Sequence, residues 1–483
     1  MARKQKRRLA GAALLLLCGS SLLTACGPES PSVAPIAAEE RLALAPAPAP
    51  LSLDPAWWRL YGDPTLDRVI DLSLRQAPSL DLARARYQES LAALRLVRSG
   101  EWPNLSLDGS LDRQRETQTG VFPPPLAGKI IDDTEASVGL GYELDLWGKR
   151  ASSIREARSQ AAAAEADSAA ARLFLTGAVA QAYFALQTDL NRLALARQVT
   201  KLRAEQTELS QARLQAGREA VSPTLEARGN QAAARLSVEQ AMALVAVDRD
   251  QLAALAGIAE ARLPEIAIRP LPAPPAPPAG LSIDLLAQRP EIESNRQAVE
   301  AARNQTEAAR AEFYPDITFS ALLGQSTINS NFLFQLRSQS WGYGPALHLP
   351  LFDGGRLSAN LGIAKAQLDE AVARYNQSVI DAVQQAADAY SQLHGTEAQI
   401  GAAENTLEQL RRLLAVQDGR LQSGLSDRSA ILQAQSAVLA QESLLIDLRG
   451  RRLAFSVSLF KALGGGYRAP AATAQLQPTA SPP

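Results

Sequence analysis

The chain carries the same long unit twice, and each copy sets two strand-like segments among helices of unusual length. Aligning residues 74–107 with 286–319 pairs Pro78 with Pro290 and Pro103 with Pro315. Farther on, Gly148 pairs with Gly354, Tyr183 with Tyr390, Arg213-Leu-Gln-Ala-Gly217 with Arg420-Leu-Gln-Ser-Gly424, and Gly257 with Gly464. The offset stays near 210 residues (an approximate figure), far beyond the roughly 20–50 of a solenoid period. What is repeated is a complete helix–strand–strand–helix unit, so the fold must place two such units side by side.

Within each copy the periodicity switches. Leu105, Leu107 and Leu111 alternate with Asn104, Ser106, Asp108, Ser110 and Asp112; Val138, Leu140, Tyr142, Leu144 and Leu146 alternate with Gly139, Gly141, Glu143 and Asp145. The second copy repeats this with Ile317, Phe319, Ala321 and Leu323, then with Tyr343, Leu347 and Leu349 opposite Gly344, Ala346 and His348. A period of two marks a strand with one apolar and one polar face. Strands are expected near 103–114, 136–147, 315–326 and 340–351. Segments of about ten residues suit a tilted transmembrane strand. A half-buried strand of a soluble sandwich gives the same local pattern.

The intervening helices are long because nothing interrupts them. No proline falls between Pro125 and Pro223 or between Pro350 and Pro470. The pattern predicts paired helices over 148–216 and 223–256, and again over 354–423 and 426–463, preceded by a short hairpin at 64–76 and 80–100. A helix of nearly seventy residues is on the order of 100 Å long. Ile154, Ala161, Ser168, Leu175 and Ala182 form a heptad seam, joined by Ala157, Ala164, Ala171, Ala178 and Ala185; small seams let helices approach closely. Gly217 breaks the first long helix, and Gly464, Gly465 and Gly466 stop the last, as glycines past a helix end commonly do.

The N-terminus has the form of an export signal. Arg3, Lys4, Lys6, Arg7 and Arg8 precede a short apolar stretch, Leu9 to Leu23, interrupted by Gly19, Ser20 and Ser21. Such a stretch suits a cleaved signal better than a membrane helix. It ends in Leu23-Thr24-Ala25-Cys26, which resembles a bacterial lipobox; the competing reading is an ordinary secretory signal that happens to contain a cysteine. The resemblance implies cleavage after residue 25 and acylation of Cys26, with N-acyl and S-diacylglycerol groups as the only covalent additions and no other cofactor. Cys18 is the one other cysteine, inside the segment to be removed, so no internal disulfide is expected. Gly27 and Pro28, in place of an aspartate after the cysteine, favour outer-membrane sorting. Removing a leader with five cations and no anion from a chain of net charge −1 leaves about −6, which excludes nucleic acid as a partner. The organisation expected is signal 1–25, proline- and alanine-rich lipidated linker 26–56, repeat one at 57–257, proline-rich connector 258–281, repeat two at 282–466 and a disordered tail 467–483.

Past the signal no uninterrupted apolar run of eighteen residues exists, so a membrane-crossing mature chain must cross as strands. Four strands leave two open edges, each with backbone groups that lipid cannot satisfy. The smallest common membrane barrels have about eight strands. One chain therefore cannot close a barrel; three copies would supply twelve strands.

The duplication, the strand placement, the lipobox and the terminal Lys461-Ala-Leu-Gly-Gly-Gly-Tyr467 together resemble the TolC-type outer-membrane efflux proteins, specifically their lipoprotein branch of RND efflux outer-membrane factors. The likeness runs from about Trp57 to Tyr467. It implies an α+β membrane protein. In that fold a homotrimer forms a twelve-stranded outer-membrane β-barrel, four strands per chain, continued by a long periplasmic α-helical barrel. It also implies partners: outer-membrane lipid, a periplasmic adaptor (membrane fusion) protein, and an inner-membrane transporter of the RND type that supplies the energy.

Catalytic chemistry is missing from the sequence. His348 and His394 are the only histidines, too few for a transition-metal cluster, and there is no P-loop, nucleophile elbow or dinucleotide-type glycine pattern. The informative polar cluster is Asp418, Arg420, Asp427 and Arg428 around Gly424. It is either a solvated turn or the closed periplasmic entrance, with Arg420, Asp427 and Arg428 as gate candidates. The resemblance puts constriction-lining positions at Ser429 and Gln433. Relatives commonly carry a leucine and an aspartate there, so an acidic ring in the pore is not expected, and Asp427 and Arg428 are expected to take over part of the latch. Gly217 and Gly424 match the tip glycines where adaptor hairpins dock, and they also suit simple left-handed turns. The reading is a passive exit duct for drugs or other small molecules in a tripartite pump. Its rivals are a type I secretion duct for proteins, built on the same fold, and a periplasmic coiled-coil scaffold, which leaves the four alternating segments without a purpose.

Overall fold

The computed structural model describes residues 54–120, 123–276 and 288–468. Cys26 and most of the linker lie outside the described residues, as do the connector over 277–287 and the tail beyond Arg468. The chain divides into two compact units: a sheet unit holding Arg95–Ala157 and Val299–Ala373, and a helical unit holding most of the remainder.

The sheet unit contains β1 (Asn104–Arg115), β2 (Ile130–Leu144), β3 (Asp316–Thr327) and β4 (Gln339–His348). All pairs are antiparallel, in the order β1-β2-β3-β4, so each repeat gives one hairpin and the repeats join through β2 and β3. The register lines up the apolar rows across the whole sheet. Leu107 lies opposite Val138, Val138 opposite Leu323, and Leu323 opposite Trp341. One residue along, Ser106 faces Gly139, Gly141 faces Ser320, and Ser320 faces Gly344. Cβ direction alternates along a strand, so one face is apolar and the other small and polar except at Leu322, which pairs with Gly139 and Gly342. Among the described residues the apolar face stands open: Leu107 is 79% exposed and Tyr343 74%. Pro345 sits inside β4 opposite Phe319, a position that an edge strand tolerates.

Three strand boundaries depart from the alternation. β2 begins at Ile130, earlier than the 136 expected, because its first residues pair with β1 as far as Arg115↔Ile130. Strands β2 and β4 also end early, at Leu144 and His348. There the chain turns into helix caps: Asp145 accepts from the N–H groups of Arg150 and Ala151, and Asp353 from those of Gly355 and Leu357. Those backbone donors hold the Asp353 carboxyl below the usual carboxylate range. Between strand and helix, Trp147 stacks on Tyr314 at 4.9 Å and donates to the Pro315 carbonyl at 2.9 Å.

Helices α1 (Pro64–Gln76) and α2 (Pro78–Ser99) follow one another across Ala77; α3 (Lys149–Gln215) and α4 (Val221–Ala256) form the long pair of repeat one. Repeat two supplies α5 (Pro290–Ala311) and the long pair α6 (Arg356–Gln422) and α7 (Arg428–Ala462). α4 starts two residues before Pro223, which the unbonded first turn of a helix accepts. α3 includes a window long and apolar enough for a membrane, but 56% of that window is buried within the protein: its alanines and leucines serve as core.

In the helical unit side-chain contacts give a lateral order. α3 meets α4 through Thr200 to the Ala234 carbonyl (3.2 Å) and Thr207 to that of Ala227 (3.1 Å). On its other side α3 meets α7 through Gln206 to the Leu432 carbonyl (3.3 Å) and Gln181 to Ser458 (3.1 Å). α7 then meets α6, where Ile400, Ala403 and Leu407 pack on Val438, Leu445 and Leu448. The order is α4-α3-α7-α6, with α4 and α6 at the edges. The core cluster with the most aromatic side chains gathers around Trp57, Tyr61, Phe184 and Phe460. Trp57 stacks on Phe460 at 5.6 Å, Tyr61 packs on Phe184 at 4.9 Å, and the Tyr61 hydroxyl bonds Ser456 at 2.8 Å. Tyr467, assigned above to the tail, belongs to this body: its N–H bonds the Gly464 carbonyl at 3.1 Å, and burial pushes its hydroxyl up to about 12.

Candidate functional site

The tips of the two long helix pairs are built alike. After α3, the Gly217 N–H bonds the Leu214 carbonyl at 3.0 Å and the Arg218 N–H bonds the Arg213 carbonyl at 2.9 Å. After α6, Gly424 bonds Leu421 at 3.0 Å and Leu425 bonds Arg420 at 2.8 Å. This is the Schellman arrangement, which requires a left-handed residue at its turn; Gly217 has φ 64° and Gly424 φ 71°. A Cβ at either position would meet nothing within 4 Å. Backbone conformation selects glycine here, not crowding inside the chain, and the space beside both glycines is open.

The charges around the tips do not follow the repeat. Arg213 and Arg420 are repeat mates, yet only Arg213 has a carboxylate opposite: its Nη2 donates to Asp427 Oδ2 at 2.9 Å. The other oxygen of Asp427 accepts from the Ala430 N–H at 3.1 Å and caps α7. Arg428 donates to Glu205 Oε2 at 3.2 Å. Asp427 and Arg428 therefore both fasten the start of α7 to the last turns of α3, joining repeat two to repeat one. The Arg420 side chain makes no ion pair among the described residues; its carbonyl serves the turn instead. Asp418 accepts from Gln422 one turn along its own helix at 2.9 Å.

Ser429 and Gln433 line a cleft of about 260 Å³ together with Gln206, Arg213, Glu219 and Glu226. The structure thus brings Asp427, Arg428, Ser429 and Gln433 together at the α3–α7 seam and leaves Arg420 apart. Sequence reasoning missed Glu205 and Arg213 as partners, although the repeated Arg-Leu-Gln motif had already marked Arg213. The cleft mixes the cations Arg203 and Arg213 with the anions Glu219 and Glu226, and the Ser210 hydroxyl donates to Glu219 Oε2 at 2.7 Å. Among the described residues no three His, Cys, Asp or Glu side chains gather as a metal site. This geometry fastens α7 to α3 through two ion pairs.

Comparison with known proteins agrees with the duplication. The family profile described as outer membrane efflux protein matches residues 69–258 and again 281–465. The multidrug resistance outer membrane protein MdtP of Escherichia coli K12 is 34% identical over 426 residues, covering 86% of both chains. MdtQ of E. coli O157:H7, also named a multidrug resistance outer membrane protein, is 30% identical over 433 residues, covering 86% of this chain and 88% of the relative. Among solved structures, the outer membrane protein VceC of Vibrio cholerae superposes with a TM-score of 0.78 at 29% identity, over 86% of this chain and 100% of its own. The open-state MtrE outer membrane channel of Neisseria gonorrhoeae gives 0.74 at 25% identity, over 84% and 90%.

Proposed function

This chain belongs to the outer membrane efflux protein family, and on that premise we propose that three copies form the outer-membrane exit duct of a tripartite pump. The duct carries drugs or other small molecules passively, and a periplasmic adaptor and an inner-membrane transporter of the RND type supply docking and energy. No step requires catalysis.

One observation carries this reading: a four-stranded sheet with a bare apolar face and two open edges, β1 and β4. Each unpaired backbone group in hydrocarbon costs several kcal/mol, so the sheet is viable in a membrane only when β1 of one copy meets β4 of the next. The helical unit has matching open sides. On α4, Leu225, Leu236 and Val247 are all more than half exposed at a constant spacing of eleven residues, and on α6 so is Val416, with Leu413 nearly so. An eleven-residue spacing keeps a stripe on one face of an almost straight helix, as a neighbouring copy's helix requires. The names of MdtP and MdtQ support multidrug export.

At the tip, the Arg213–Asp427 and Arg428–Glu205 pairs form the resting latch, Ser429 and Gln433 line the entrance beside it, and Arg420 takes no part. Gly217 and Gly424 leave the bare backbone on which an adaptor hairpin sits. Cys26, acylated, anchors the mature chain to the outer membrane.

The test is purification from outer membranes in mild detergent, followed by mass measurement and single-channel recording in a planar bilayer. With chains of 51.5 kDa before processing, a particle near 150 kDa with conductance that rises when the Gly424 tip is disturbed supports the duct. A monomer without conductance refutes it and returns the helices to a scaffold.

A further inference from the structure

A second charged cluster ties the repeats together on α3, about 37 Å of helix away from the Gly217 turn. Arg192 donates from Nη1 to Asp189 Oδ1 at 2.6 Å, on its own helix, and from Nε to Asp447 Oδ1 at 2.7 Å, on α7. Asp248 approaches the same group from α4. One guanidinium therefore bonds two carboxylates contributed by two helices, and a third carboxylate, from α4, lies within reach of its charge. The side chain of Asp189 is only 9% exposed. Oδ2 of Asp248 is buried with no hydrogen-bond donor, and the group beside it, the Asp189 carboxylate, can only accept while both are ionised. A single proton changes this pair from two acceptors into a donor and an acceptor.

We propose that Asp189, Arg192, Asp248 and Asp447 form a proton-responsive clasp: protonated Asp248 bonds Asp189 and draws α4 onto α3, whereas ionised Asp248 repels Asp189 and slackens that joint. The charged groups acting on Asp248 are Asp189 and Arg192 from α3. α7 presents Asp447, which is engaged by Arg192, and the neighbouring Arg249 on α4 holds its Nε buried without an acceptor. Burial, then the Asp189 charge, pushes the Asp248 carboxyl from 3.8 up to about 6, against the pull of Arg192. Between those two values the folded chain holds a proton that the unfolded chain has lost, so stability falls as pH rises through this window and is level above it.

As a control of conduction the clasp rests on the duct reading above; as a pH-dependent stability it does not. The experiment uses the full chain in mild detergent and follows thermal unfolding from pH 5 to pH 8 for wild type and Asp248→Asn, with conductance recorded on the same samples. Wild type should lose roughly 1–2 °C more than Asp248→Asn over that range, and the variant, whose amide donates to Asp189 at every pH, should be the more stable at pH 8. Asp189→Asn, which offers its own donor to Asp248, should flatten the profile in the same way and serves if the first variant folds poorly. Parallel pH profiles for wild type and both variants would overturn the clasp. A flattened stability profile without any channel would uphold the clasp and sink the duct; channels with parallel profiles would do the reverse.

Discussion

Asp427 performs two separable tasks, and separating them tests whether the tip is a latch. One carboxylate oxygen caps α7 and the other holds Arg213. An N-cap of this kind contributes about 1 kcal/mol. The ion pair, with Asp427 63% and Arg213 30% exposed, contributes no more than about 0.5 kcal/mol after solvent screening. Asparagine keeps the cap and loses the charge. If three tips open together, Asp427→Asn removes about 1.5 kcal/mol from the shut state, roughly a tenfold gain in the open-to-shut ratio. Arg428→Gln breaks the pair with Glu205 and adds a factor of similar size. The double variant should therefore open roughly a hundredfold more often. Asp427→Ala also loses the cap, which stabilises α7 in open and shut states alike, so it should lower thermal stability without opening the channel further than asparagine does. The assay is open probability in planar bilayers at 0.1 M and 1 M salt. The Debye length shrinks from about 10 Å to about 3 Å between them, and the difference from wild type should shrink with it. Equal open probability for wild type and Asp427→Asn at 0.1 M, or a difference that 1 M salt leaves intact, refutes the latch.

Valine in place of Gly217 or Gly424 should strain a left-handed residue by about 1–2 kcal/mol and obstruct the open space beside it; drug susceptibility should rise while trimer yield, read by native gel, holds. Leu107→Lys puts a charge on the apolar face of β1 and should cost about 2–4 kcal/mol of membrane stability, whereas Ser106→Lys, one residue along on the polar face, should cost little; heat-modifiable mobility of the assembled protein distinguishes them. Phe184→Ala opens the aromatic core beside Tyr61 and Trp57 and should cost about 3–5 kcal/mol, seen as loss of folded protein in thermal melts.

What the sequence made legible follows from periodicity. Strands of period two, helices free of proline and turn glycines mark their own positions, because each feature is local to a few residues. The early start of β2 was hidden: Ile130 and Ile131 are followed by Asp132 and Asp133, and only the partner strand makes that stretch a strand. The tip ion pairs were hidden for a similar reason. Arg213 and Asp427 lie 214 residues apart, and no local pattern tells that one Arg of the duplicated motif meets an acid while Arg420 does not. The Asp189–Asp248 approach likewise depends on how α4 lies along α3. Local chemistry could name the candidates at the tip, and the packing of one repeat on the other decided which of them were used.

The open edges of the sheet also have a genetic consequence. If each chain must lend an edge to two neighbours, a chain with one ruined edge spoils every ring it enters. In a cell making equal amounts of sound and edge-defective protein, only about one ring in eight would consist of sound chains alone if rings of three assemble at random. Defects in β1 or β4 should therefore act as dominant poisons of drug resistance, while alleles that never fold should be recessive.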